Sequence, residues 1–299
     1  MQKIISNLWF NGVAKEAVDF YASIFPASRV MSTEYYPKTA EEGLADFQRE
    51  MAGKELAISF ELAGHAFIAI NAGPEFSPTP ANSFFVNFDP SRDDAAREHL
   101  DKVWESLMNG GEALMPLDTY AFSEHYGWVK DKYGYNWQLM LTNPAGEERP
   151  CIIPSLMFGA SVQNRAKEAI DYYLSTFRNS KMGTLMPYAE DSGVAKAGSV
   201  MFADFMLENQ WFAAMDSGAE QDFTFNEAVS YTILCKDQAE IDYYWEKLSA
   251  HPENEQCGWC KDQFGVSWQV VPERLEELMR RPGAYAALMN QKKIIIDEF

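Results

Sequence analysis

Residues 14–29 read AKEAVDFYASIFPASR, and residues 166–181 read AKEAIDYYLSTFRNSK. Nine of the 16 positions are identical, and Val/Ile, Phe/Tyr and Arg/Lys exchanges account for three more. In the first stretch Ala17, Val18, Tyr21 and Phe25 recur at helical spacing with Lys15, Glu16 and Asp19 between them, which predicts an amphipathic helix. The same helix returning later in the chain marks an internal duplication.

Two further anchors follow in the same order. Residues 127–140 (GWVKDKYGYNWQLM) match 258–271 (GWCKDQFGVSWQVV) at seven of 14 positions, and 101–107 (DKVWESL) match 242–248 (DYYWEKL) at four of seven. The offset between copies falls from 152 at the first helix to 145 at Phe60/Phe205, 141 at Trp104/Trp245 and 131 at Trp128/Trp259. Copy one therefore carries extra residues around 41–53 and about ten more between Leu107 and Gly127. The polar 143–150 segment, with Pro, Gly and charge, reads as the linker.

Strands are expected at 4–10 and 152–158, at 56–62 and 67–71 with counterparts 200–207 and 211–215, and at 83–88, 127–131 and 136–141, with a second helix over 95–108. The two-residue strand period assigns faces. Trp137, Leu139 and Leu141 form the row that packs under helices, leaving Gln138 on the other side; Gln269 likewise opposes Trp268 and Val270. In the opening strand Leu8 and Phe10 share one face, Asn7 and Trp9 the other. The domains expected are 1–142 and 152–272, with 273–299 a helical tail packed on copy two and interrupted near Pro282-Gly283.

A chain of 299 residues with 47% apolar and 23% charged residues is globular and long enough for two cores. Its formal charge of −19 repels a phosphate backbone, so nucleic acid is excluded as a partner. The N-terminus MQKIISNLWFNG lacks the apolar run of a signal peptide and no later stretch could span a bilayer, so a cytoplasmic location and no membrane partner are expected. Aromatics at 14% suit ring-lined pockets.

The runs LWFNGVAKEAVDFYASIFPASR and FELAGHAFIAINAGPEF and the terminal GW-KD-(Y/F)G-W-Q signature resemble the PhnB-like branch of the glyoxalase/bleomycin-resistance/dioxygenase (vicinal oxygen chelate) superfamily. Copy two carries the resemblance further, with AGSVMFADFMLENQWFAAMDSG, FTFNEAVSY and GWCKDQFGVSWQVVP. The resemblance implies an α+β fold of four βαβββ modules in two tandem glyoxalase-like domains. Their curled mixed sheets would form cups with helices outside, two modules per copy, as a fused pseudo-dimer. A monomeric pseudo-dimer or a homodimer is expected. Members often carry a 3-demethylubiquinone methyltransferase label, but no glycine-rich strand-to-helix turn suits a nucleotide-like cofactor.

In the superfamily's metal enzymes the cup-facing ligands are His or Glu. Carried over, these positions fall on Gln138 and Gln269, near Asn7 and Ser155, and near Asn82 or Ser83 with counterparts Val229 and Ser230. None is His or a carboxylate, so no metal cofactor is expected, a divalent ion being the alternative. The ligand-binding candidates are Asn7, Trp9, Trp128, Asn136, Gln138, Ser155, Trp259 and Gln269. His125, in the segment that copy two lacks, is the one catalytic candidate; His65, His99 and His251 read as exposed. Cys257-Gly-Trp-Cys260 could be a redox pair or half a zinc site, yet copy one has Tyr126 and Val129 there. Lys130-Asp131 and Lys261-Asp262, each before a glycine, read as turns. Three functions remain open: a metal-free small-molecule binder, a metal-dependent lyase, isomerase or dioxygenase on a small oxygenated or aromatic compound, and a structural or regulatory module with filled cups. The loss of a wall in copy two suggests that one cup specialised while the other became scaffold.

Overall fold

The computed structural model describes residues 2–299, apart from the side chain of Phe47. The first module runs β1 (Ile4–Phe10), α1 (Ala14–Ile24), β2 (Arg29–Tyr35), β3 (Glu55–Leu62) and β4 (His65–Asn71). The second runs β5 (Asn82–Phe88), α2 (Ala96–Met108), β6 (Glu112–Tyr120), β7 (Ser123–Lys130) and β8 (Asn136–Leu141). The third is β9 (Ile152–Phe158), α3 (Ala166–Thr176), β10 (Lys181–Pro187), β11 (Val200–Leu207) and β12 (Gln210–Asp216). The fourth is one strand short: β13 (Val229–Cys235), α4 (Gln238–Leu248), β14 (Trp259–Lys261) and β15 (Ser267–Pro272).

The strands form two open mixed sheets, ordered β14-β15-β13-β1-β4-β3-β2 and β10-β11-β12-β9-β5-β8-β7-β6. Neither copy builds a sheet alone. β1 runs antiparallel to β13, from Ile4 opposite Ile233 to Leu8 opposite Val229, and β5 to β9, from Asn82 opposite Leu156 to Val86 opposite Ile152. The first module thus shares its sheet with the fourth, and the second with the third, in place of two modules of one copy. Burial dictates this order. All seven residues of β5 and of β9 are buried, which only a central strand allows. β2 and β10 are largely exposed and take the edges, and their weak apolar signal is why the sequence reading passed over them. It also passed over β6, which extends the eight-stranded sheet.

Helices α1 to α4 pack on one face of each sheet. Along β4 burial alternates strictly, with His65, Phe67, Ala69 and Asn71 on the helix side. The helix-side faces join one continuous core: Phe67 of one sheet lies 5.2 Å from Phe84 of the other, and Phe84 lies 5.2 Å from Trp137. The repeated Lys-Asp turns anchor that core. Asp131 accepts bonds from Tyr21 Oη (2.7 Å), Trp137 Nε1 (2.8 Å) and the amides of Tyr133 and Tyr135. Asp262 repeats this with Tyr173, Trp268, Phe264 and Val266. The shared motif therefore ties each copy's first helix to its closing strand, and needs a carboxylate because four donors converge on it.

The tail is two short helices, α5 (Leu275–Met279) and α6 (Ala284–Met289), and a closing 3-10 turn. It packs on both copies rather than on copy two alone. Ile294 and Ile296 are buried in the core, the amides of Cys257 and Gly258 bond to Gln291 and Lys292 carbonyls, and Tyr285 Oη donates to Gln48 Oε1 at 3.1 Å.

Candidate functional site

The sheet faces turned away from the helices carry the candidate residues, sorted into two cups that each draw on both copies. In the seven-stranded sheet, Asn7 of β1 sits in register with Ser230 of β13, and Thr232 with Gln269 of β15. Asn7 Nδ2 donates to Thr232 Oγ1 at 2.8 Å, and Gln269 Nε2 to Ser230 Oγ at 3.0 Å. In the eight-stranded sheet, Ser83 lies opposite Ser155, and Gln138 Nε2 donates to Ser83 Oγ at 2.8 Å. The amide-to-serine pair is thus repeated, with one difference. Tyr126 Oη donates to Gln138 Oε1 at 2.5 Å, whereas position 257 of copy two is a cysteine, so Gln269 Oε1 keeps no such cap.

The two cups differ in filling. In the eight-stranded sheet Phe85, Tyr126, Trp128, Ile153, Met157 and Ala213 form a separate apolar cluster, with Met115, Tyr120 and Trp211 packed on it. Gln138, Asn136 and Ser155 are buried beneath, and Trp128 Nε1, Asn136 Oδ1 and Ser155 Oγ have no partner. The remaining space, 590 Å³, lies to one side under the linker. There Arg149 lies 3.9 Å over the Trp211 ring and pairs with Asp204 at 2.8 Å, features that no repeat pattern signalled.

The seven-stranded sheet holds a cavity of 780 Å³. Asn7, Thr232 and Gln269 lie on its floor, and Ile5, Ile68, Ile70, Leu234 and Val271 make it apolar. Pro272 at the end of β15 and the tail residues Glu273–Glu277 and Arg280 close one side. Trp9 and Trp259 lie outside the cavity; their rings meet edge-on at 6.1 Å, and Trp9 Nε1 donates to Gly73 O at 2.7 Å. Two wall residues escaped the sequence reading, Glu34 on edge strand β2 and Glu276 on α5. Glu34 keeps an exposed side chain on its edge strand, yet partial loss of solvent around its carboxyl, and after it the neighbouring Glu276, push that carboxyl above its ordinary range.

The other singled-out residues lie elsewhere. His125 faces α2, not a cup: Nε2 bonds to Asp101 at 2.6 Å and Nδ1 lies 3.3 Å from Arg97. His65, expected exposed, is 9% exposed; Nε2 lies 3.0 Å from Ser6 Oγ, and burial pulls its pKa down to about 3. His99 and His251 remain accessible. Cys260 is buried in β14, Cys257 precedes the strand at φ +52°, and burial raises both thiol pKa values, which disfavours a reactive thiolate.

The positions onto which the sequence resemblance carries metal ligands do lie together, as Asn7–Ser230–Gln269 and Ser155–Ser83–Gln138. They are neutral amides and hydroxyls, several of them already bonded to one another, and do not fit a divalent ion. Among the described residues no three His, Cys, Asp or Glu side chains gather as a metal site. No helix of the described residues is long and apolar enough to cross a membrane.

A search of curated proteins found no match. Among solved structures, the chain is similar to the PhnB protein of Bacillus cereus, at 35% identity over 47% of this chain and 100% of that one, TM-score 0.40. A glyoxalase I variant from Zea mays matches in fold over 92% of this chain and 95% of its own, at 12% identity and TM-score 0.53. A second maize variant matches over 91% and 94%, at 10% identity and TM-score 0.52. The family model described as 3-demethylubiquinone-9 3-methyltransferase matches residues 2–140 and again 150–271, and with the PhnB relative this establishes that the chain belongs to that PhnB-like family, as two tandem copies with a glyoxalase I-like fold.

Proposed function

We propose that this protein binds a small organic molecule in the cup of the seven-stranded sheet, without the metal centre of its superfamily. The observation that carries the reading is the contrast between cups. In one, aromatic side chains cover the polar floor and 590 Å³ remains to one side under the linker, while the other keeps 780 Å³ of apolar-walled space over its polar floor. Neutral ligand positions support binding rather than metal chemistry. The family label implies methyl transfer, but the turn from β1 to α1 is Asn11-Gly12-Val13, with a single glycine and no capping side chain. It does not fit a nucleoside cofactor held against backbone amides.

The test uses N-phenyl-1-naphthylamine, a neutral dye that brightens in apolar cavities. Saturable one-to-one binding is expected. Ala57→Trp, which places an indole into the cavity from β3, should abolish it while leaving the unfolding midpoint nearly unchanged. An unaltered titration in that variant overturns the site. Stoichiometric manganese, zinc, nickel or iron in protein purified without chelator overturns the metal-free part.

A further inference from the structure

Resting on that reading, we infer that the ligand of this cup is an amphiphilic organic cation with N–H donors, a primary amine or guanidine carried on an apolar body. The floor sets the polarity. Asn7 spends Nδ2 on Thr232 Oγ1 and on the Ile5 and Ser230 carbonyls, leaving Oδ1 without a partner although the residue is 2% exposed. Gln269 spends Nε2 on Ser230 and lacks the tyrosine that caps its counterpart. Asn7 thus consumes its donors within the sheet and Gln269 one of its two N–H groups, while Asn7 Oδ1, buried behind the floor, and Gln269 Oε1 are left as acceptors, so the floor is richer in acceptors than in free donors. A ligand that satisfies them must bring donors.

The walls set the charge. Glu34 and Glu276 face the cavity from opposite sources, an edge strand and the tail, with Ser32 Oγ donating to Glu276 Oε1 at 3.5 Å. Neither carboxylate has a salt-bridge partner among the described residues. Glu61, Glu273 and Glu277 also line the cavity, with Glu61 paired to Arg29, against two cations, Arg274 and Arg280. The balance is negative, and the chain's formal charge of −19 adds a field that concentrates cations at the opening. Partial desolvation, and after it the proximity of Glu276, raise the Glu34 carboxyl, and a bound ammonium group would favour its ionised form. The apolar walls then cover the rest of the ligand. The space in the second cup lacks this negative balance: position 186, opposite Glu34 in the repeat, is methionine, and its two acids, Glu147 and Asp204, meet two cations, Arg149 and Lys181, with Arg149 paired to Asp204.

The test is displacement of the naphthyl dye from the full-length protein by three molecules of one shape, 4-phenylbutylamine, 4-phenylbutanol and 4-phenylbutanoate. The amine should displace at roughly tenfold lower concentration than the alcohol, as expected for an ammonium beside carboxylates near a protein surface, and the carboxylate should be weakest. Glu34→Gln and Glu276→Gln should each shrink the amine's advantage several-fold without weakening the alcohol, and the trimethylammonium analogue, lacking N–H, should bind less well than the amine. An alcohol as effective as the amine, or an advantage that survives both substitutions together, overturns the ligand class while leaving the cup. Failure of all three to displace a dye that still binds overturns it equally. A dye that never saturates, or that Ala57→Trp leaves bound, overturns the cup itself.

Discussion

Replacing Asp262 tests the claim that the repeated Lys-Asp turn is a structural anchor. Its carboxylate is fully buried, with Oδ2 accepting from Tyr173 Oη at 2.7 Å and Trp268 Nε1 at 2.8 Å, and Oδ1 from the amides of Phe264 and Val266 at 2.9 and 3.1 Å. Burial nevertheless holds its pKa above the ordinary aspartate range, so the ionised group is costly and the cluster is worth less than its bonds added together. The larger penalty comes from breaking it. Asp262→Ala strands four buried donors at about 1–3 kcal/mol each, tempered by relaxation, so a loss of about 3–5 kcal/mol is expected. Tyr173→Phe removes one donor and leaves three, and should cost about 1–2 kcal/mol. Asp262→Asn should resemble alanine more than wild type, because one amide NH₂ must then face another donor. Urea unfolding followed by tryptophan fluorescence reads all three. An Asp262→Ala loss below about 1 kcal/mol, or an Asp262→Asn variant no worse than Tyr173→Phe, would refute the converging-donor argument.

Two further outcomes follow from burial. The pKa of His65 in the folded state, about 3, lies below its unfolded value of 6.5. The stability it confers is therefore complete above the unfolded pKa and is lost as pH falls from there toward 3, at roughly 1.4 kcal/mol per unit of pH once both states differ by a proton. His65→Gln should flatten the acid limb of the stability profile, and a limb of unchanged steepness would count against the assignment. Arg149→Ala loses the Asp204 ion pair and the Trp211 stack together and should cost about 2–4 kcal/mol by thermal or urea unfolding, with little effect on dye binding in the other cup.

Much of the frame was legible because both periodicity and repetition marked it. The faces of β1 and β8 follow from alternation, and Leu8, Phe10, Trp137 and Leu139 do lie in the core. Identity between copies misleads at the level of cause, however. Gly127 and Gly258 open the same signature, yet a Cβ at Gly127 would sit 2.5 Å from the Trp104 ring, while Gly258 is required by its φ of +88°. The pairing of modules across copies was not legible, since hydropathy states which face is buried and not which strand lies alongside. The cup carboxylates were hidden for another reason. Glu34 lies on a mostly exposed edge strand and Glu276 in the tail, so neither belongs to a repeated apolar pattern. His65 was misplaced because a polar residue beside a turn resembles a surface residue until Ser6 is brought to it.

The pairing of β1 with β13 has a consequence for how the protein comes into being. Ile4 must find Ile233, and until the last quarter of the chain leaves the ribosome β1 has a neighbour, β4, on one side only. The second and third modules are contiguous and can pair β5 with β9 first. The expected order of assembly runs from the middle of the polypeptide outward, with slow closure by its two ends. For the same reason a cut at the linker would not release two working halves but two pieces with open central edges, each complementary to the other and prone to pair with further copies of itself.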